Sequence, residues 1–187
     1  MLELNKIYLM DCMEGMRQFP DKYFELAIVD PPYGININNN IGRRKGDKPS
    51  DYKKINWDNK PPDNMYFKEL FRVSKNQIIW GANHFISRIP YDSSCWIVWD
   101  KLFSEDVSFA SVELAYTSFS TVSKRIALSS QQQNRIHPTQ KPVALYTWLL
   151  NNYAKQGDKI LDTHLGSASS VLACEKLNVQ YIGFEID

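Results

Sequence analysis

Two consecutive prolines directly behind an apolar run set the first hard boundary in this chain. Glu25-Leu26-Ala27-Ile28-Val29 reads as a buried strand, and it stops at Asp30-Pro31-Pro32-Tyr33-Gly34. Proline lacks an amide hydrogen and has a fixed φ, so a diproline cannot continue a central strand. The chain must turn out of the sheet at Asp30 and leave that carboxylate at a strand tip.

The same reading applied along the chain gives an alternation of elements. KIYLM (6–10) is a short strand, and 13–19 a helix closed by Pro20. After the diproline, 36–60 is long and polar, and loops of that length are usually functional or mobile. Residues 62–74 form a helix with Pro near its start and apolar Met65, Phe67, Leu70, Phe71 and Val73. QIIW (77–80), CWIVW (95–99) and VELAYTSF (112–119) are strands, while 120–139 is polar and shows no period. A helix over 142–155 places Val143, Tyr146, Leu149, Leu150 and Tyr153 on one face. The end reads strand (158–162), helix (167–177), strand (180–185). Strands alternating with helices, closed by strand–helix–strand, predict a mostly parallel α/β sheet with helices on both faces.

Length and composition narrow the class. With 187 residues the chain is one domain, and 43% apolar with 23% charged residues is a folded profile. No run approaches the roughly 18 apolar residues of a membrane span, and the first residues lack a basic head before a greasy run. The expected setting is cytoplasmic. Cys12, Cys95 and Cys174 lie far apart, which leaves neither a disulfide framework nor a zinc knuckle, and no metal is expected.

The net charge of +1 hides an uneven distribution. Segments 36–60 and 120–141 each carry a net +4, so the other 140 residues carry −7. Two basic segments on an acidic body are either solvated loops or the contact for a polyanion.

The chemistry sits at the strand ends. In DKILDTHLGSASSVLACEKLNVQYIGFEID a strand ends at Asp162, a small-residue turn with Gly166 opens a helix, and the next strand ends at Glu185. In nucleotide-binding α/β units the glycine lets the backbone approach the ligand, and an acid about twenty residues on takes the ribose hydroxyls. Asp162 and Glu185 are 23 positions apart. The GxGxxG fingerprint is missing, so a pyrophosphate is disfavoured and an adenosine ligand without phosphates fits better. A nicotinamide oxidoreductase is disfavoured for that reason. Asp11, at the tip of the first strand, either caps the following helix or joins this site.

Asp30-Pro31-Pro32-Tyr33 offers a carboxylate, a free proline carbonyl held by a stiff turn, and a flat aromatic face. Two fixed acceptors suit an exocyclic NH₂ group. Gripping both hydrogens draws the nitrogen lone pair out of conjugation, and Tyr33 offers a surface for ring stacking.

DPPYG at 30–34, HPTQKP at 137–142 and LDTHLGSAS at 161–169, in this order, resemble the amino-methylating DNA methyltransferases of the adenine N6 type. The motif order is similar to their β group, and the compact bacterial and phage forms look closest. The resemblance spans 6–187. It implies a permuted Rossmann-like methyltransferase fold, S-adenosylmethionine as methyl donor, double-stranded DNA as partner and, in many members, a homodimer. Restriction–modification is a common setting of the family. Residue by residue, it implies that Asp162 and Gly166, with Thr163, His164 and Ser167 around them, hold the methionine end. Glu185 takes the ribose, and Asp11 with Cys12 meets the adenine of the donor. Lys141, and with it His137 or Thr139, lies near the methionine carboxylate. Asp30, Pro31, Pro32 and Tyr33 grip the target base, Asp30 also bordering the donor. Arg43, Arg44, Lys45, Lys53, Lys54, Lys124, Arg125 and Arg135 are the expected DNA contacts.

Departures from the pattern are Ala168 where a second glycine is usual, and Thr163-His164 where Pro-Phe is commoner. The permutation also implies a helix after Glu185, which would cover one sheet face. Asp at position 30 favours adenine, whereas cytosine N4 enzymes more often carry Ser there. A DNA-binding remnant without activity is the alternative that Ala168 supports.

Overall fold

The computed structural model describes residues 1–35, 58, 60–102, 110–130 and 140–186. Strands are β1 (Lys6–Leu9), β2 (Phe24–Val29), β3 (Ser74–Trp80), β4 (Trp96–Asp100), β5 (Val112–Thr117), β6 (Lys124–Ala127), β7 (Lys159–Asp162) and β8 (Gln180–Glu185). Helices are α1 (Cys12–Met16), α2 (Asn64–Val73), α3 (Val143–Tyr153) and α4 (Ser169–Leu177), with two short 3₁₀ turns at Ala82–His84 and Ile86–Arg88.

All eight strands form one sheet in the order β1-β8-β7-β2-β3-β5-β4-β6. The last two strands of the sequence thus lie between the first two, which is the permuted order expected. The run β1-β8-β7-β2-β3 is parallel throughout, β5 is antiparallel to both neighbours, and β4 and β6 are parallel. Register sets Leu9 opposite Glu185, Asp162 opposite Gly183 and Leu161 opposite Ala27.

Strand side chains alternate between faces, and the two cores follow that period. Ala27, Val29, Ile79, Leu161, Ile182 and Phe184 face α1 and α2, where Met16, Phe67, Leu70 and Phe71 complete a buried cluster. Leu26, Ile28, Ile78, Trp80, Ile97, Trp99 and Ile160 face the other way, against Leu145, Leu149 and Leu150 of α3 and Val171, Ala173 and Cys174 of α4. The Asp63 carboxylate caps α2, accepting from the Met65 and Tyr66 amides at 2.9 and 3.0 Å. Lys22 Nζ closes its far end by donating to the Phe71 and Ser74 carbonyls. Among the described residues no helix is long and apolar enough to cross a membrane.

Three expectations are corrected. Helix α1 ends at Met16 rather than at residue 19, since the chain must already be turning to accommodate Pro20. Strand β3 begins at Ser74, directly from the end of α2, where Ser74 Oγ donates back to the Leu70 carbonyl at 2.5 Å. Segment 120–141 is not a plain loop, because β6 lies inside it. Four residues, half-buried Lys124 and Ile126 alternating with exposed Arg125 and Ala127, are too few to show a period, and such short charged strands are typical of sheet edges.

At the opposite edge Tyr8 packs into the first core, while Ile7 and Leu9 on the other face are 50% and 77% exposed.

Candidate active site

Parallel strands place their carboxyl ends on one edge. In spatial order β1, β8, β7 and β2 end at or beside Asp11, Glu185, Asp162 and Asp30, a row of four acids. Helices change face between β7 and β2, with α4 on one side and α2 on the other. Ligands of such sheets bind at that switch point, outside the carboxyl ends. Asp162 and Asp30 flank it.

The Glu185 side closes around the turn after β7. Gly166 N donates to Glu185 Oε2 at 2.7 Å, and Ile186 N donates to Oε1 at 2.9 Å. Asp162 is buried, accepting from the His164 amide on Oδ1 at 3.1 Å and from Ser170 Oγ on Oδ2 at 2.5 Å. Burial pushes the Asp162 carboxyl up to about 7, against those two hydrogen bonds, and nearby Asp30 and Glu185 add to the rise. Asp162 thus shapes the turn that any ligand here would meet. Thr163 Oγ1 lies 2.6 Å from the Tyr66 hydroxyl and 2.9 Å from His164 Nδ1, and the Tyr66 and His164 rings meet edge to face. Burial holds His164 down to about 4, so its imidazole is neutral at pH 7. Ser167 Oγ is 3.0 Å from Ser169 Oγ.

Asp11 is the N-cap of α1, its Oδ1 accepting from Met13 and Glu14 amides at 2.8 and 3.3 Å. It also borders the site: burial, then Asp11, then Glu185 raise the Cys12 thiol to about 12. Of the two alternatives for Asp11, the cap is the one these hydrogen bonds form. Asp11, Cys12 and Glu185 are close enough to act on one another's charge, and Glu185 is bonded to Gly166.

Ala168, the N-cap of α4, has φ +56° and lies in the left-handed region. A side chain there costs roughly 1–2 kcal/mol, partly offset by the greater backbone freedom glycine loses on folding. Ala168→Gly is expected to raise Tm by about 1–4 °C in thermal melts.

The Asp30 side is held from three directions. Tyr33 Oη donates to Asp30 Oδ1 at 2.7 Å, and Lys141 Nζ donates to Oδ2 at 2.5 Å. Lys141, itself buried, is also 3.2 Å from Tyr33 Oη and 3.0 Å from Glu113 Oε2. Glu113 Oε1 in turn pairs with Lys101 at 2.5 Å. The exit from the diproline is pinned by Asp58, whose Oδ1 accepts from the Tyr33 and Gly34 amides at 2.7 and 2.9 Å. The Tyr33 ring stacks on His84, centroids 5.0 Å apart and 15° between planes. Burial, with Asp30 and Glu113 behind it, raises the Tyr33 hydroxyl well above its ordinary value, so it stays protonated and keeps donating.

Asp30, Pro31, Pro32, Tyr33 and Lys141 are thus one assembly. The Lys141 ammonium has Asp30, Glu113 and Tyr33 as partners. Lys124 and Arg125 lie on β6, four strands from β2 and so roughly 19 Å away across the sheet. Lys124 binds Asn152 Oδ1 and covers the Tyr153 ring, while Arg125 pairs with Asp100. Arg43, Arg44, Lys45, Lys53, Lys54, Arg135, His137 and Thr139 lie outside the described residues. Asp58, Tyr66, His84, Lys101 and Glu113 are site residues that sequence reasoning missed. Glu113 left one trace, an acid within the otherwise apolar strand VELAYT.

Known proteins are similar to this chain. The N6/N4 methyltransferase family model, described as DNA methylase, matches residues 44–187. Escherichia coli (strain K12) YubD is 24% identical over 196 residues, covering 94% of this chain and 82% of its own length. The type II methyltransferase M.HinfI of Haemophilus influenzae is 23% identical over 233 residues; the match takes in 97% of this chain but 65% of that relative's length. Among solved structures, the M1.HpyAVI–SAM complex aligns with a TM-score of 0.63 at 20% identity, over 97% of this chain and 93% of that one. The PvuII DNA methyltransferase (cytosine-N4-specific) aligns with a TM-score of 0.66 at 13% identity, over 97% and 82%. These two structures share the fold. With the family match over most of its length, the chain belongs to the N6/N4 DNA methylases.

Proposed function

We propose that the chain methylates the exocyclic N6 of adenine in DNA, with S-adenosylmethionine as donor. The observation that carries this reading is the rigid Asp30–Tyr33 corner, tied to Lys141 and Asp58, at the switch point beside the Gly166–Glu185 turn. Asp30, rather than a serine, supports adenine over cytosine.

S-adenosylmethionine supplies a methyl group on a sulfonium, which is already strongly electrophilic. Glu185 would accept from the ribose hydroxyls, Asp11 and Cys12 would border the adenine, and the turn 163–167 would hold the methionine end. The target base must leave the duplex, at a cost of about a few kcal/mol in unstacking and unpairing. Asp30 and the Pro31 carbonyl then each accept one N–H of the amino group, with Pro32 stiffening the turn. The nitrogen lone pair leaves conjugation with the ring, and the base stacks by Tyr33. The protein supplies alignment and charge placement rather than a covalent intermediate. The basic segment 36–60 is the proposed phosphate grip, joined by Lys124, Arg125 and Arg135.

Unmethylated DNA incubated with methyl-labelled S-adenosylmethionine, then digested to nucleosides, is expected to carry the label in N6-methyl-2′-deoxyadenosine. Label in N4-methyl-2′-deoxycytidine would reassign the base, and DNA without label would remove the activity.

A further inference from the structure

Lys141 is an unusual neighbour for a substrate-gripping carboxylate. Its Nζ lies 2.5 Å from Asp30 Oδ2, yet only 6% of its side chain is exposed, and the ammonium lies over the Trp80 ring, 5.4 Å from its centroid. An ammonium in such a place needs its charge answered and its hydrogens taken. Asp30 cannot do both alone while also receiving a substrate amine.

The rest of the answer comes from β5. Glu113 Oε2 is 3.0 Å from Lys141 Nζ, and its other oxygen is 2.5 Å from Lys101 Nζ. The four charges alternate in sign, Lys101, Glu113, Lys141, Asp30, and sum to zero. We propose that Glu113 is a positioning residue: it anchors Lys141 from behind, and so fixes the orientation of the Asp30 carboxylate that grips the target amine. Lys101, at the outer end, holds Glu113 in turn. This assignment rests on the proposed methyl transfer.

The physical consequence is twofold. Without the Glu113 anchor, Lys141 is free to swing with Asp30, and an alignment error of about 1 Å in a reacting group costs on the order of a hundredfold in rate. Lys141 also loses one of the anions that keep it charged. Burial depresses its pKa, whereas Asp30 and Glu113 raise it, and the balance lies above the ordinary lysine value. The titratable groups facing it are Asp30, Tyr33 and Glu113, with Lys101 behind Glu113 and the Tyr146 hydroxyl of α3 near both acids. Burial opposes the ionisation of Glu113, but Lys141 and Lys101 hold it down to about 2, so its charge persists through the working pH range.

The test compares the unsubstituted chain with Glu113→Gln and Glu113→Asp in the labelled-donor assay, with thermal melts and donor calorimetry on each. Glu113→Gln is expected to lower kcat by about ten- to a hundredfold with KM for DNA nearly unchanged. Its turnover should also fall as pH is raised into the alkaline range, where the unsubstituted chain stays flat, because Lys141 has lost one of the anions that hold its proton. Glu113→Asp keeps the charge, so it is expected to restore the flat profile and part of kcat, and it reads the result if Glu113→Gln does not fold. A folded Glu113→Gln with unchanged kcat and a flat profile overturns the proposal, as does Glu113→Asp sharing the alkaline loss. If the unsubstituted chain itself labels no DNA, the proposed function fails instead.

Discussion

Asp30→Ala is expected to lower methyl transfer by roughly 10²–10³, the scale of losing one preorganised polar contact with the reacting group. Donor binding should mostly survive, because Glu185 and the turn after β7 keep their own bonds, Gly166 N to Glu185 and Ser170 Oγ to Asp162. The loss has two parts. One acceptor for the target amine disappears, and the assembly behind it loosens, since Asp30 receives both the Tyr33 hydroxyl and the Lys141 ammonium. Lys141 keeps Glu113 and Tyr33, so a stability cost of about 1–3 kcal/mol is expected rather than collapse. Asp30→Asn separates the parts. It keeps the volume and one accepting oxygen, but its amide nitrogen only donates, so Tyr33, Lys141 and the substrate amine must compete for that oxygen. Single-turnover rates on both variants, beside donor calorimetry and melts, make the check. Turnover unchanged in either variant would remove Asp30 from the reaction.

The strand tips were legible in the sequence because they depend on local chemistry. Pro31-Pro32 had to end β2, Gly166 had to open the turn before α4, and the interval from Asp162 to Glu185 matched two adjacent parallel strands. Those facts sufficed to bring Asp30, Asp162 and Glu185 to one edge. What the sequence hid is whatever depends on partners far along the chain. Lys141 and Asp30 are 111 residues apart, and Glu113 reaches their ion pair because β2, β3 and β5 lie side by side. Glu113 comes from the antiparallel strand of that set, so nothing near it in sequence announces a buried lysine. Asp58 looked like one more charge in a basic segment, yet it is buried and takes two amides at the diproline exit. Ala168 shows a third kind of limit. A left-handed backbone at that position is set by the turn from Asp162 into α4, and the residue type gives no hint of it.

Gly81 is where the same interdependence gives the second large effect. It ends β3 with φ +64°, and a Cβ built there would lie 2.1 Å from Tyr33 Cε1, 2.3 Å from Cζ and 2.5 Å from Cδ1. A flexible side chain could move aside, but this ring cannot do so cheaply. Its hydroxyl is bonded to Asp30 and Lys141, its amide to Asp58, and His84 stacks on it. Gly81→Ala must therefore push the ring or the 3₁₀ segment away, and the left-handed backbone adds roughly 1–2 kcal/mol. The expected outcome is a fall in turnover of about a hundredfold from the displaced Tyr33, with a stability loss of about 1–3 kcal/mol and donor affinity nearly unchanged. Gly157→Ala is the matched control: its φ is +89°, but a Cβ there meets nothing within 4 Å. It should show the backbone cost in a melt and leave turnover alone. Equal losses of turnover in the two variants would mean that general destabilisation, and not the contact with Tyr33, sets the rate, and the ring would lose its place in the grip on the base.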